Sequence, residues 1–326
     1  MMASIIIGTG SKIPEKVIHN KDLERFVNTS DEWIRTRTGI VERHIAGEGE
    51  TNSGLATEAA RRALEMAGLS PEEIDLVIVA TLTPDMQMPS VACLVQNALG
   101  AKNAGAFDLS ATCSGFLYGL TIADQFIRHK PSQKILVIGS EVLSKRVNWQ
   151  DRSTCVLFGD GAGAVVLTGT SEDRGIVSTH LHADGSLWEL LNIKGLGTKY
   201  PVTPEILEKG YQFIEMNGRE VFKHAVRALE SVTMEALEGA GWRGEEIDLF
   251  VPHQANMRII EHLRNRLGLS REKVFINIDK YGNTSAASIP IALDEANRAG
   301  LLEPGSKVLM VAFGGGFTWG SVAMKW

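Results

Sequence analysis

Only three cysteines, Cys93, Cys113 and Cys155, occur among 326 residues. None belongs to a CxxC pair, and three cannot build a secreted disulfide framework. A reducing, cytoplasmic compartment is the expectation. No apolar run approaches the ~20 residues that a bilayer span needs. The stretch Met1–Gly10 has no basic residue ahead of its short apolar run, so no signal peptide is expected. A surplus of positive charge is also missing. The 33 basic residues face 39 acidic ones, for a net charge of −6, which argues against nucleic acid as a partner. No HExxH or Walker pattern occurs. The opening GTGSKI carries Gly8 and Gly10 but Ile13 where a dinucleotide fingerprint needs a third glycine. No metal-ligand set stands out, so neither metal nor bound cofactor is expected. Low-complexity segments and long linkers are absent.

What the chain does have is an internal copy. Residues 63–76 read ALEMAGLSPEEIDL and residues 236–249 read ALEGAGWRGEEIDL, identical at ten of fourteen positions at an offset of 173. The same offset pairs KILVI (134–138) with KVLMV (307–311). A domain-sized period of this kind points to duplication rather than a solenoid. Each half alternates helical and strand patterns. The first half reads as strands at Ile5–Ile7, Asp75–Ala80, Ala104–Leu109, Lys134–Gly139 and Ala162–Thr168, with helices at Ser53–Ala67, Pro89–Leu99 and Cys113–His129. The second reads as helices at Gly218–Ala240, Asn256–Leu267 and Ser285–Ala299, with strands at Asp248–Val251, Val274–Asp279, Lys307–Phe313 and Ser321–Lys325. The polar run Thr170–Gly175 is the natural boundary, dividing the chain into 1–172 and 173–326. Such alternation predicts an α/β fold with two mostly parallel or mixed sheets covered by helices.

Cys113 follows an apolar strand and opens an apolar helix. The partial positive charge of a helix N-terminus favours a thiolate, which predicts a lowered thiol pKa and a nucleophile. Adding 173 to Cys113 reaches Ala286, in NTSAAS, so Asn283 occupies the matching loop of the second copy. Adding 173 to Ala80 reaches His253, at the end of the strand pattern DLFVP. Ligands of open α/β sheets gather beyond the carboxyl ends of strands. A pseudo-twofold pairing of the halves would therefore bring Cys113, His253 and Asn283 together. Cysteine is a nucleophile, histidine a base or donor, and asparagine a donor that stays neutral. Taken singly, His253 and Asn283 also fit ordinary structural places. The glycine run Gly314–Gly316 after a strand could bring main-chain N–H groups close to a substrate carbonyl.

Seven segments carry a family resemblance: TSDEWIRTRTGI (29–40), DLSATCSGF (108–116), DRSTCVLFGDGAGA (151–164), MNGREVF (216–222), VPHQAN (251–256), NIDKYGNTSAASIP (277–290) and AFGGGFTWGS (312–321). The chain closely resembles the bacterial β-ketoacyl-acyl-carrier-protein synthase III enzymes over essentially its whole length. The resemblance implies a duplicated thiolase-like fold, layered α-β-α-β-α with two five-stranded mixed sheets, and a homodimer. It implies that Cys113 takes an acyl group from acyl-CoA, acetyl-CoA above all, as a thioester. Malonyl-acyl-carrier protein then condenses with it, while His253 and Asn283 stabilise the enolate-like charge. The N–H groups of Cys113 and Gly316 would form the oxyanion hole. Trp33 and Arg152 would sandwich the adenine of CoA, Arg37 would meet its phosphates, and Gly218, Phe222 and Asn256 would line the pantetheine path. CoA enters as part of the substrate, not as a cofactor.

The resemblance also assigns the stretch Gln254, Ala255, Asn256, Met257 and Arg258, with Lys223 beside it, to the carrier protein. Lys223, Arg258, Arg264 and Arg266 make a basic group on an acidic protein, suited to steering an acidic partner. The best-known members of the family carry phenylalanine where this chain has Met88, a residue expected to reach across the dimer to the acyl pocket. Methionine there leaves short primers preferred and longer ones tolerated. A condensing enzyme of secondary metabolism that uses malonyl-CoA, a cysteine thioesterase and an inactive carrier-binding module are the competing readings. No membrane or nucleic acid partner is expected.

Overall fold

The computed structural model describes residues 3–326. The first half contributes strands β1 (Ala3–Lys12), β2 (Leu76–Ala80), β3 (Gly105–Leu109), β4 (Ile135–Glu141) and β5 (Gly161–Thr170), with helices α1 (Asn52–Ala67), α2 (Val91–Leu99) and α3 (Gly115–His129). The second contributes strands β6 (Gly175–Ala183), β7 (Leu249–Pro252), β8 (Lys307–Gly314) and β9 (Thr318–Lys325), with helices α4 (Gly218–Ala240), α5 (Met257–Leu267) and α6 (Ser288–Arg298). One sheet runs β1-β5-β4-β2-β3 and the other β6-β9-β8-β7. Both are mixed: β2 is parallel to β3 and β4, β7 is parallel to β8, and the remaining pairs are antiparallel.

The copy visible in the sequence survives in strand register, hydrogen bonds and helix caps. Leu76 pairs with Ile135 and Leu249 with Val308, the same register 173 residues on. Asp75 accepts the Lys134 N–H at 2.9 Å, and Asp248 accepts the Lys307 N–H at 2.8 Å. Gly68 ends α1 with φ +66° and Gly241 ends α4 with φ +68°. Both hold the left-handed cap that glycine adopts without a Cβ penalty.

Alternation along the strands decides which face meets which layer. Ile78, Val137 and Val165 of one sheet, and Val251, Met310 and Val322 of the other, pack on Leu117 and Leu120 of α3 and Ile289 and Leu293 of α6. These two helices form the middle layer, and each touches strands of both sheets. Val77, Val79, Leu136 and Ile138 face the other way, onto Ala59 and Leu64 of α1 and Val95 of α2. Phe250 and Leu309 turn outward onto Leu229 of α4 and Ile260 of α5. The result is the α-β-α-β-α layering. Emptying a middle-layer site such as Leu120 would cost about 2–5 kcal/mol.

Two expectations need correction. The second sheet has four strands, not five, because the segment expected as a strand from Val274 makes a single bridge, Phe250 to Val274. The side-chain carbonyl of buried Gln254 accepts the N–H groups of Asn277 and Ile278 at 3.1 and 3.2 Å. Those donors would otherwise serve a ladder, and the chain turns instead into the short helix Ile278–Tyr281. The second correction is that Cys113 does not open the α-helix. It sits in a 3₁₀ turn, Thr112–Ser114, ahead of α3.

Candidate active site

A largely apolar cavity of about 370 Å³ lies between the halves, with Cys113, His253 and Asn283 all in its lining. The Cys113 turn leaves β3 with Thr112 in the left-handed region, φ +46°. For a β-branched residue this costs on the order of 1–3 kcal/mol, and its surroundings hold it in place. Thr112 Oγ1 donates to the Gly315 carbonyl at 2.9 Å, while Ser114 Oγ bonds Thr318 Oγ1 at 2.8 Å. A Cβ at Gly314 would fall 2.7 Å from the Cys113 nitrogen, so only glycine lets this turn approach β8. The matching turn of the second half, Ser285–Ala287, repeats the conformation: Ser285, 173 residues after Thr112, has φ +50°. It rests on β4 at Gly139, where a Cβ would meet the Ala286 carbonyl at 2.1 Å.

His253 directly follows β7, its N–H donating to the Val311 carbonyl at 2.8 Å. Its ring is buried, and neither ring nitrogen has a protein partner among the described residues. Burial pushes its pKa down to about 3, so the imidazole is neutral at physiological pH and has one N–H and one lone pair to offer. Asn283 is tied by its backbone, N–H to the Leu157 carbonyl and carbonyl from the Gly159 N–H. Its side-chain carbonyl accepts the Ser285 N–H at 2.9 Å. That commitment leaves the NH2 end as the donor for the cavity.

The thiol contradicts the expected activation. Burial pushes Cys113 up to about 12, although the nearby Ser285 hydroxyl favours the thiolate, and the charge of Glu141 raises it further. Desolvation outweighs the turn's N–H groups, so the sulfur needs help in losing its proton.

Glu141 was missed by sequence reasoning. It ends β4 with no exposed surface. Thr83 Oγ1 donates to it at 2.5 Å, Thr81 Oγ1 at 3.2 Å, and the Leu82 N–H at 3.2 Å. Burial pushes its carboxyl up to about 7. An acid closing the apolar strand ILVIGSE was the available signal. Ser285 was also missed, although it is the repeat partner of Thr112.

Gly218, Phe222, Ala255 and Asn256 line the same cavity. Asn256 Nδ2 donates to the Arg37 carbonyl at 3.2 Å. The Arg37 and Arg152 guanidinium carbons lie 4.8 and 4.7 Å from the Trp33 ring centroid. Trp33 and Arg152 are thus in direct contact, and a flat ring between them requires Arg152 to swing away.

Two expectations, for Gln254 and Arg264, are not met. Of the 314–316 turn, Gly315 lines the cavity and Gly316, beside it, is exposed. Met88 is 82% exposed and lines no part of the chain's own cavity. Gln254 cannot meet a carrier protein. It is 1% exposed, and its side chain is spent on Pro252, Phe275, Asn277 and Ile278. Met257 is half-buried, while Arg258 is exposed with its guanidinium 5.3 Å from the Phe222 ring centroid. Lys223 is exposed beside Glu220. Arg264 folds back onto Glu261, Asn265 and the Leu269 carbonyl, which removes it from the basic group. Among the described residues, no cluster of His, Cys, Asp or Glu suited to a metal occurs, and no helix is long and apolar enough to cross a membrane.

Residues 107–185 match the family model for 3-oxoacyl-[acyl-carrier-protein] synthase III, and residues 237–326 match the model for its C-terminal part. The chain is 55% identical to the β-ketoacyl-[acyl-carrier-protein] synthase III of Caldanaerobacter subterraneus, with 100% of this chain and 98% of that one covered. It superposes on the crystal structure of the Aquifex aeolicus 3-oxoacyl-[acyl-carrier-protein] synthase III with a TM-score of 0.92 at 54% identity, covering 99% and 100% of the two chains. The Thermus thermophilus β-ketoacyl-[acyl carrier protein] synthase III superposes with a TM-score of 0.91 at 46% identity, covering 98% of each. Matched along both halves in sequence and superposed over nearly every residue, the chain belongs to the 3-oxoacyl-[acyl-carrier-protein] synthase III family.

Proposed function

We propose that this chain is the initiating condensing enzyme of fatty acid synthesis, joining an acyl-CoA primer to malonyl-acyl-carrier protein. The observation that carries the reading is the convergence of Cys113 from one half with His253 and Asn283 from the other on one apolar cavity. The Cys113 sulfur attacks the thioester carbon of the primer. A new sulfur–carbon bond forms, the bond to the CoA sulfur breaks, and CoA leaves to be protonated. Malonyl-acyl-carrier protein then enters and loses carbon dioxide. As charge builds on its thioester oxygen, a neutral His253 N–H and the Asn283 NH2 group donate to it. The carbanion attacks the acyl carbon and expels the Cys113 sulfur, which leaves 3-oxoacyl-carrier protein.

Acetyl-CoA is the favoured primer, with longer chains tolerated. Trp33, Arg37 and Arg152 receive the nucleotide end of CoA, and Gly218, Phe222 and Asn256 line the path of its arm. Lys223 and Arg258 meet the carrier protein, with Ala255, Asn256 and Met257 beside them. The main-chain N–H of Cys113 supplies the oxyanion hole, with a second donor from Gly316. The working unit is a homodimer in which Met88 borders the partner's acyl pocket. The exposure of Met86 and Met88 and the unpaired edge of β3 support this. The halves divide at residues 172 and 173, and the enzyme is cytoplasmic and needs no cofactor.

Mass spectrometry after incubation with acyl-CoAs of different length tests the reading. One acyl group on a peptide containing Cys113, lost in Cys113→Ser and discharged by malonyl-acyl-carrier protein, is the expected result. Labelling at Cys93 or Cys155 instead would overturn the site.

A further inference from the structure

His253 and Asn283 reach the cavity from segments with separate anchors. His253 is tied to β8 through the Val311 carbonyl, whereas Asn283 is tied to the first half through Leu157 and Gly159. Two donors held on different supports can serve one oxygen only if something keeps them in step. The residue after His253 does so. The Gln254 backbone N–H donates to Ser288 Oγ at 2.7 Å. Its side-chain carbonyl accepts the N–H groups of Asn277 and Ile278 at 3.1 and 3.2 Å. Its NH2 group donates to the Pro252 and Phe275 carbonyls at 2.8 and 3.1 Å. Asn277 and Ile278 precede Asn283 in the chain and Ser288 follows it, so Gln254 grips the Asn283 segment on both sides.

The gripped segment is itself braced. Asn277 Nδ2 donates to one carboxylate oxygen of Glu295 at 2.9 Å, and the Tyr281 hydroxyl donates to the other at 2.5 Å. Glu295 belongs to α6, the helix that Ser288 opens, so the short helix Ile278–Tyr281 and α6 are fastened to each other as well as to Gln254. Gly282, with φ +65°, then turns the chain into Asn283.

The Gln254 amide has two lone pairs and two protons to offer, and all four are used within the protein. Backbone donors stand at one end and backbone carbonyls at the other, so a single orientation satisfies it. Being buried as well, the amide cannot shift without leaving polar groups unpaired. His253 and Ala255 on either side of it line the cavity, while Gln254 itself stands outside the lining.

We infer that Gln254 is a positioning residue that holds His253 and Asn283 in register, so that both reach the malonyl thioester oxygen as charge builds on it. Such donors are effective only when they are set in place before the charge appears. The Cys113 turn takes no part in these hydrogen bonds. Gln254 therefore serves the condensing step and leaves the acylation step alone.

The inference rests on the condensation reading, and its test separates the two. Release of carbon dioxide from malonyl-acyl-carrier protein and acylation of Cys113 by acetyl-CoA are measured apart in the wild type, Gln254→Met and Ser288→Ala. Methionine keeps the length of the side chain and removes its hydrogen bonds. Decarboxylation by Gln254→Met should fall about 10²-fold, the scale of a group misplaced by ~1 Å, with acylation within about threefold of wild type. Ser288→Ala gives up one bond of the set and should lose about tenfold in the same step. It carries the test if Gln254→Met does not fold. Equal losses in both steps, the result for a residue that merely holds the chain together, would overturn the inference. So would wild-type decarboxylation in the folded variants. If the wild type neither takes the acetyl group nor releases carbon dioxide, the condensation reading itself fails. Crystals of the variants then decide the placement: an Asn283 amide displaced by about 1 Å relative to the His253 ring upholds it, and an unmoved one sinks it.

Discussion

The side-chain carbonyl of Asn283 accepts the backbone N–H of Ser285 at 2.9 Å. This single bond orients the amide, so the two ends of Asn283 can be tested apart. In Asn283→Asp an oxygen still accepts the Ser285 N–H, but the donor is gone and a charge is added. Acylation of Cys113 should persist in that variant. Decarboxylation of malonyl-acyl-carrier protein should fall by about 10²–10³-fold, the usual loss for one oxyanion donor. Release of carbon dioxide, measured separately from acylation, checks it.

Glu141 makes stability depend on pH. Its folded pKa of about 7 lies above the ordinary 4.5, so the folded chain binds the proton more tightly than the unfolded chain does. Its contribution is therefore greatest below pH 4.5 and is lost as pH rises to 7. The lost amount is about 3 kcal/mol by linkage. Glu141→Gln has no such loss. Its stability relative to wild type, from urea unfolding, should climb between pH 4.5 and 7 and level off above. His253 runs the opposite way, losing stability as pH falls from 6.5 toward 3, but it does so in both proteins and cancels.

Gly139 and Gly68 should respond differently to alanine. At Gly139 the new methyl would sit 2.1 Å from the Ala286 carbonyl and displace the turn that carries Ser285. A loss of about 1–3 kcal/mol is expected, together with slower Cys113 acylation. At Gly68 there is open space but φ is +66°, so about 1 kcal/mol is lost and acylation is unchanged. Urea midpoints and acylation rates of the two variants make the comparison.

Met88 touches nothing in its own chain's cavity, so any influence on primer choice has to come from a second subunit. Met88→Phe should narrow the primer range toward acetyl-CoA. In mixed dimers of Met88→Phe with Cys113→Ser, the surviving Cys113 belongs to the Met88→Phe chain and, on the proposed dimer, would be bordered by the other chain's methionine. Those dimers should show the wild-type primer range in an acyl-CoA panel.

Much of this architecture could be read before any coordinates. The helices expected to end at Ala67 and Ala240 do end there, the strands expected at Asp75–Ala80 and Asp248–Val251 form, and the 173-residue offset tied Cys113 to the loop holding Asn283. Each rests on local chemistry repeated twice. Other features depend on contacts between segments far apart in the chain. Nothing near Gln254 shows that its side chain will bond Asn277 and Ile278 and unmake a fifth strand. The thiol pKa of Cys113 was misjudged for a related reason, since a helix-like start is local but desolvation comes from Phe158, Phe313 and other walls distant in sequence. Glu141 lay beyond the strand expected at Lys134–Gly139, and its partners, Thr81, Leu82 and Thr83, lie on another segment.

The middle layer has one further consequence. Because α3 and α6 each press on strands from both sheets, neither half has an inner face it could cover alone. Severing the peptide between Thr170 and Gly175 should thus yield two fragments that are insoluble when made separately. Produced together, they should reassemble into an active, noncovalent whole, so this ancient tandem now behaves as one indivisible folding unit.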